Sequence, residues 1–241
     1  QRDSQLMKGR IAWTEGDNLF VVRKGRTTNK KIAPEKASVV QTYTFDLRQA
    51  AMVRSAQSNK VDRGNFFRMD GANCLDCPLA SLKGCYTHKY MQYSGFISML
   101  RSLSTEDIHS RERTDLAPIK DWCAESQLTR FGSYGEPSLL PIDLVSDMAD
   151  ASATHTGYTH QAGKDWADDY KDFFMASSHD QEGADNLPSW RHFISLAKGA
   201  EARGVQCPAS KEMGYVSNCA KCGLCSGVKG KGRKDVTINI H

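Results

Sequence analysis

Seven of the eight cysteines lie in two short stretches, so a fold must either gather each set at one point or leave several reactive thiols without a task. Cys207, Cys219, Cys222 and Cys225 form the later set, and its last three members follow a C-x-x-C-x-x-C spacing. That spacing suits an iron–sulfur cubane, because a tight turn lets successive thiolates each reach a different iron. The upstream Cys207-Pro208 pair has the form of the remote ligand that completes such a site. A tetrahedral zinc centre uses similar pairs and remains the alternative metal. Core packing is a poor account of four cysteines in a polar, glycine-containing segment.

The earlier set is Cys74, Cys77 and Cys85, with the sequence Asn73-Cys74-Leu-Asp-Cys77-Pro78 leading to Gly84-Cys85-Tyr86. Three thiols hold three irons of a cubane and leave the fourth open. That fourth position is either free for an exogenous ligand or filled by Cys123 or His88. Cys123 stands alone in sequence and reads more simply as a thiol packed behind a strand.

At 241 residues, with 39% hydrophobic and 25% charged residues, the composition is that of a globular α/β protein. No apolar run has the length of a membrane span, and the first residues show no signal-peptide core, so the expectation is a cytoplasmic protein without membrane contact. Reduced cysteines follow from that expectation. The net charge of +4 is small, but the cations are grouped. Arg23, Lys24, Arg26, Lys30, Lys31 and Lys36 form one run; Lys229, Lys231, Arg233 and Lys234, spaced by glycines, form another. Such runs are solvated faces or contacts to nucleic-acid phosphates.

Three regions are expected: a basic extension with a hairpin over 1–38, an α/β core over 39–205, and a cysteine-rich segment over 206–241. Arg10–Trp13 and Asn18–Val22, joined through Glu15-Gly16-Asp17, predict the hairpin. Strands are predicted at Ser38–Phe45, Asn65–Met69, Leu128–Phe131, Thr154–Thr159, Asp172–Ser177, Trp190–Leu196 and Asp235–Ile240. Helices are predicted over Lys89–Leu103, Pro141–Ala151 and Lys164–Tyr170. Strand and helix in alternation imply a parallel sheet, here a partial (β/α) barrel, with functional groups at the carboxyl ends of the strands.

Two further motifs sit at such ends. In Arg130-Phe-Gly132-Ser-Tyr-Gly135-Glu136-Pro137, the glycines let backbone approach a ligand, and Glu136 is placed to accept hydrogen bonds from an amine. Ser177-Ser178-His179-Asp180 offers hydroxyls to a ligand, although Asp180 also reads as a helix cap. His155 shares one face of its strand with Thr159, and Tyr158 shares the other with His160. Neither histidine has the context of a metal ligand. No Walker A, G-x-S-x-G, H-E-x-x-H or G-x-G-x-x-G motif occurs.

Together with His155-Thr-Gly-Tyr-Thr-His160, the blocks around Cys74, Arg130, Cys207 and Cys219 resemble the phage "gene product 88" domain family of mobile elements. The likeness covers roughly residues 60 to 241 and implies a phage or plasmid origin without naming a reaction. The order of three-cysteine loop, Gly135-Glu136-Pro137 strand end, and serine-bearing strand is also similar to radical S-adenosylmethionine enzymes. That likeness implies a [4Fe–4S] cluster at Cys74, Cys77 and Cys85, S-adenosylmethionine held near Gly132, Gly135, Glu136 and Ser177, and an auxiliary cluster on Cys207, Cys219, Cys222 and Cys225. The spacing here, C-x2-C-x7-C, differs from the C-x3-C-x2-C of those enzymes. The other expectation is a nucleic-acid-binding or host-protein-binding module in which iron–sulfur or zinc centres brace loops without catalysis.

Overall fold

The computed structural model describes residues 9–56, 61–80, 85–88, 90–104, 116–197 and 199–239. Strands β1 (Arg10–Glu15) and β2 (Asn18–Arg26) form the expected hairpin. Its two-residue turn places Gly16 at φ 56°, a left-handed value that glycine takes without steric cost. Strand β3 (Ser38–Asp46) lies antiparallel to β2 along its whole length, so the hairpin is built into the core sheet.

Asp46 ends β3 and starts α1 (Leu47–Ser55). Its carboxylate accepts from the Arg48 amide at 2.8 Å, and Gln49 Oε1 accepts from the Asp46 amide at 3.1 Å. The strand expected at Asn65–Met69 is instead a helix, α2 (Arg63–Arg68). Asp62 Oδ1 caps it by accepting from the Asn65 amide at 2.7 Å, and Phe66 and Phe67 are both fully buried. Two adjacent aromatics bury equally well on a one-turn helix, and so short a helix shows no period. The one-turn α3 (Gly71–Cys74) follows, then α4 (Tyr90–Arg101) where a helix was expected. Its expected first residue, Lys89, is outside the described residues, as is Ile240 of the last strand. A short α5 (Pro118–Ala124) precedes β4 (Leu128–Tyr134).

Next come α6 (Ile142–Ala151), β5 (His155–Thr156), β6 (Tyr158–Thr159), a 3₁₀ helix (Asp165–Asp172) and β7 (Met175–Ser178). The rest is α7 (Gln181–Asp185), β8 (His192–Leu196), β9 (Val205–Gln206), α8 (Cys219–Cys222) and β10 (Val236–Asn239). One sheet has the order β1-β2-β3-β4-β5, and the other β6-β7-β8-β10-β9. In the first sheet β3, β4 and β5 run parallel; the second is parallel throughout. The fold is therefore mixed α/β, and the two sheets do not close into a barrel. No described helix is long and apolar enough to cross a membrane.

Both faces of the first sheet are covered. Phe20, Val22, Val40 and Phe131 pack against residues of α5 and α6 on one face. Leu19, Val21, Tyr43, Phe45 and Tyr134 pack against α1, α2 and α4 on the other. Such two-sided burial leaves most of β3, its threonines included, shielded from solvent. In the second sheet Ala176 belongs to the first of these cores, while Met175 packs with Cys207 and Cys225.

Gly157 separates β5 from β6 and is where the chain passes from one sheet to the other. Its amide donates to the Cys225 carbonyl at 3.2 Å, and its carbonyl accepts from the Met175 amide at 3.0 Å. A Cβ here would meet the Phe174 ring at 2.4 Å. Gly157→Ala is expected to lower stability by about 2–3 kcal/mol, read as a reduced urea midpoint with an unchanged slope.

Candidate metal centres

The distal cysteines come from three pieces of chain. Cys207 follows β9, and its amide donates to the Thr237 carbonyl of β10 at 2.8 Å. Cys219 and Cys222 lie on α8, where Asn218 Oδ1 accepts from the Lys221 amide at 3.1 Å. Gly223, at φ 63°, ends that turn and directs the chain to Cys225. The segment between β2 and β3 holds α8 in place: the Cys219 and Ala220 amides donate to the Lys31 and Ile32 carbonyls at 3.0 and 2.9 Å.

These four thiols lie close enough for their charges to act on one another. Burial pushes Cys225 up to about 12; the Tyr158 hydroxyl opposes this, while Cys219, Cys207 and Cys222 add to it. Burial also raises Cys219, opposed by Arg130 and Lys31. Cys207 is raised by burial and opposed by the Ala209 amide and Lys31. None of the cysteines is in a disulfide. Several neighbouring buried thiolates are unstable without a cation, so each thiol keeps its proton or gives it up to a metal. The Ala209 N–H and Tyr158 O–H aimed at sulfur, with Lys31 and Arg130 nearby, are the kind of outer groups that tune a metal–thiolate centre.

The proximal cysteines follow α3. Leu75, at φ 52°, turns the chain between Cys74 and Cys77, an uncommon conformation for a leucine. The Cys77 amide donates to the Cys74 carbonyl at 3.1 Å, and the Cys85 amide to the Leu79 carbonyl at 3.3 Å. Cys85 Sγ lies 3.0 Å from Thr87 Oγ1. Burial raises Cys74 strongly, and Asp70, Cys77, Cys85 and Glu136 all add to the shift. Burial pushes Cys77 up to about 11, opposed by the Leu79 and Ala80 amides. The three thiols and Glu136 thus share one neighbourhood.

The two named fourth ligands lie in different surroundings. His88 Nε2 faces Asp70 Oδ2 at 3.5 Å, and its ring lies 4.2 Å from that of Phe67. Cys123 is fully buried in the core beneath α6, with Thr129 and Ser152 beside it. Among the described residues, no three His, Cys, Asp or Glu side chains meet at the reach of a single metal ion.

Glu136 is buried, and protein donors occupy both its oxygens. Oε1 accepts from the Ser138 amide and hydroxyl at 3.1 and 2.7 Å; Oε2 accepts from the His160 amide at 3.1 Å. The carboxylate that was expected to receive a cofactor amine therefore braces the ends of β4 and β6. Gly132 and Gly135 have φ of 64° and 74°, and the space beside them is filled by protein. A Cβ on Gly132 would meet the Pro137 ring at 3.0 Å, and one on Gly135 the Thr44 carbonyl oxygen at 2.5 Å. Ser177 pairs with Phe193 across β7 and β8 and is half-buried. Asp180 caps α7, accepting from the Gly183 amide at 2.7 Å. Sequence reasoning missed Asp70 and Asn73, which are buried beside the proximal thiols; only their place just ahead of Cys74 signalled them.

Compared with known protein families, characterised proteins and solved structures, the chain matches none.

His160 stacks against His179 with ring centroids 6.5 Å apart, and its Nε2 has no partner. Burial and then the neighbouring His179 lower it from 6.5 to about 4. Between these values the unfolded chain holds the proton and the folded chain does not. Stability should be full above pH 6.5 and fall as pH drops towards 4. The His160 share is on the order of 3 kcal/mol at most. His160→Gln should flatten this part of the stability–pH curve, measured by urea unfolding across that range.

Proposed function

We propose that this is an iron–sulfur protein of a phage or plasmid, with one [4Fe–4S] cluster on Cys207, Cys219, Cys222 and Cys225. A second cluster is held by Cys74, Cys77 and Cys85, leaving one iron open. What supports the reading is that Cys207 and the Cys219–Cys225 stretch bring two buried and two half-buried thiols close enough for their charges to act on one another. The fold supplies polar hydrogens and cations beside these sulfurs, which offset part of the cost that burial places on a thiolate.

The proximal site supports the finer reading of a radical S-adenosylmethionine type of enzyme. Its cysteines follow β3, and the Gly135-Glu136-Pro137 loop leaves the carboxyl end of the parallel neighbour β4. The six segments β3, β4, β5–β6, β7, β8 and β10 follow in parallel order, as in a partial barrel. A cluster with an open iron would chelate the amino and carboxylate groups of S-adenosylmethionine and supply an electron to it. This chain's own contributions would be the Cys77 sulfur held by the Leu79 and Ala80 amides, and the rim locked by Glu136. A zinc centre at the distal set is the second reading, favoured by the tight Cys219–Cys222 turn closed at Gly223.

Protein purified without oxygen should contain about four irons and four acid-labile sulfides per cluster. Cys219→Ser with Cys222→Ser should remove about half of the iron, and Cys74→Ser with Cys77→Ser the other half. S-adenosylmethionine binding, followed by calorimetry and by the EPR signal of the reduced cluster, should vanish only in the second pair. Zinc without sulfide in the anaerobic preparation would replace the iron reading with the second one.

A further inference from the structure

The approaches to β8, β9 and β10 open on a cleft of 660 Å³. Trp190 and Arg191 enter it before β8 and His192 at its start, Gly204 before β9, and Arg233, Lys234 and Asp235 before β10. Its charged lining is four cations, Arg191, Arg203, Arg233 and Lys234, against two carboxylates, Asp185 and Asp235. Both carboxylates are engaged. Asp185 pairs with Arg203, and Asp235 Oδ1 accepts from the His192 amide at 2.7 Å.

Arg191 is the unusual member. It is 6% exposed, yet its hydrogen-bond partners are carbonyls: Nη1 donates to Gly227 at 2.8 Å and Nη2 to Lys234 at 2.5 Å. Its Nε–H has no partner. Carbonyl contacts satisfy donors but do not neutralise the guanidinium charge, and Asp235, the carboxylate whose charge acts on it, is already engaged by the His192 amide, so the buried charge is only partly compensated. The loop is shaped around this group. A Cβ on Gly232 would come within 2.6 Å of Arg191 Nη2, so a side chain there would displace the guanidinium. One buried guanidinium thus fastens the glycine- and lysine-rich loop and holds Arg233 and Lys234 at the mouth.

We propose that this cleft is a phosphate-binding site, taking the phosphate ester of a nucleotide or of a polynucleotide backbone. Arg191 supplies a desolvated charge at the base, and Arg233 and Lys234 supply exposed charges that are not engaged by a carboxylate. Planar guanidinium groups match phosphate oxygens in geometry as well as charge. The cleft is lined by residues outside both cysteine sets, although Arg191 feels the Cys225 charge and donates to Gly227 just beyond it.

The test uses the full chain, anaerobically purified, at low salt. Inorganic phosphate and ATP are titrated by calorimetry, and a fluorescein-labelled single-stranded oligonucleotide by anisotropy. Arg191→Gln removes the loop's fastening and risks unfolding, so Arg233→Gln with Lys234→Gln carries the test, with circular dichroism to show that it folds. The pair should weaken binding about tenfold, and oligonucleotide affinity should fall with salt at a log–log slope of about −2. Binding of phosphate and ATP marks a nucleotide site, and binding of the oligonucleotide alone marks a polynucleotide site; either upholds the proposal. Arg26→Gln with Lys36→Gln, an equal charge change in the other basic run, should leave affinity within about twofold. Absence of binding by all three probes, or equal weakening by both pairs, overturns it. Iron measured in the same samples separates this outcome from that of the cluster reading.

Discussion

The proximal loop is tied to the sheet through Asn73, and the layout of the rim depends on that tie. Asn73 Nδ2 donates to the Thr44 carbonyl of β3 at 2.9 Å, while its own carbonyl accepts from the Glu136 amide at 2.7 Å. One residue thereby spans the ends of two parallel strands and delivers Cys74 between them. Gly135 completes the contact, since any side chain there would strike the Thr44 carbonyl. Glu136 extends the brace to β6 through the His160 amide. A buried carboxylate needs several donors to be tolerated, and here three backbone or hydroxyl donors from two elements provide them. The same bonds that stabilise the charge fix the relative positions of the strand ends.

The second cysteine set depends on a different kind of contact. Cys207 and Cys225 lie over the face of the second sheet that carries Met175, Tyr158 and Phe193, while Cys219 packs against Ile32, Ala33 and Leu128. Gly157 links this set to the rest of the fold, because its amide binds the Cys225 carbonyl at the point where the two sheets meet. The N-terminal segment contributes as well. Lys31 and Ile32 hold α8 by backbone bonds, and the Lys31 charge opposes the burial cost of the Cys219 and Cys207 thiolates. A region read as a basic extension therefore has a share in the sulfur site. Arg191 connects that site to the phosphate cleft, since Cys225 and Asp235 both act on its charge while burial opposes it.

Much of the local structure was legible. The hairpin around Gly16, the β-branched run of β3 and the amphipathic spacing of α6 all express preferences that act over a few residues. Asp180 announced its helix, and Asp62 announced α2 to a reader who did not weigh the phenylalanines first. Glu136 was legible as a strand-end carboxylate, but not the direction in which it points. That direction follows from where the Ser138 and His160 amides lie, which depends on β6 standing beside β4. Cys123 and Cys85 look alike as isolated thiols; one lies beneath α6 and the other in the proximal loop because their elements pack on different faces.

By itself the sequence determined where the candidate groups stand along the chain: two sets of thiols, two cationic runs, and the glycines beside them. Spacing along the chain sets how far apart two groups can be, and tight spacings admit few geometries. Only the tertiary structure decided that β10 inserts between β8 and β9, that the sheet breaks at Gly157, and that Arg191 is buried against backbone carbonyls. Strand order and burial arise from contacts between residues far apart in the chain, whose energies depend on surfaces that exist only once the elements have packed together.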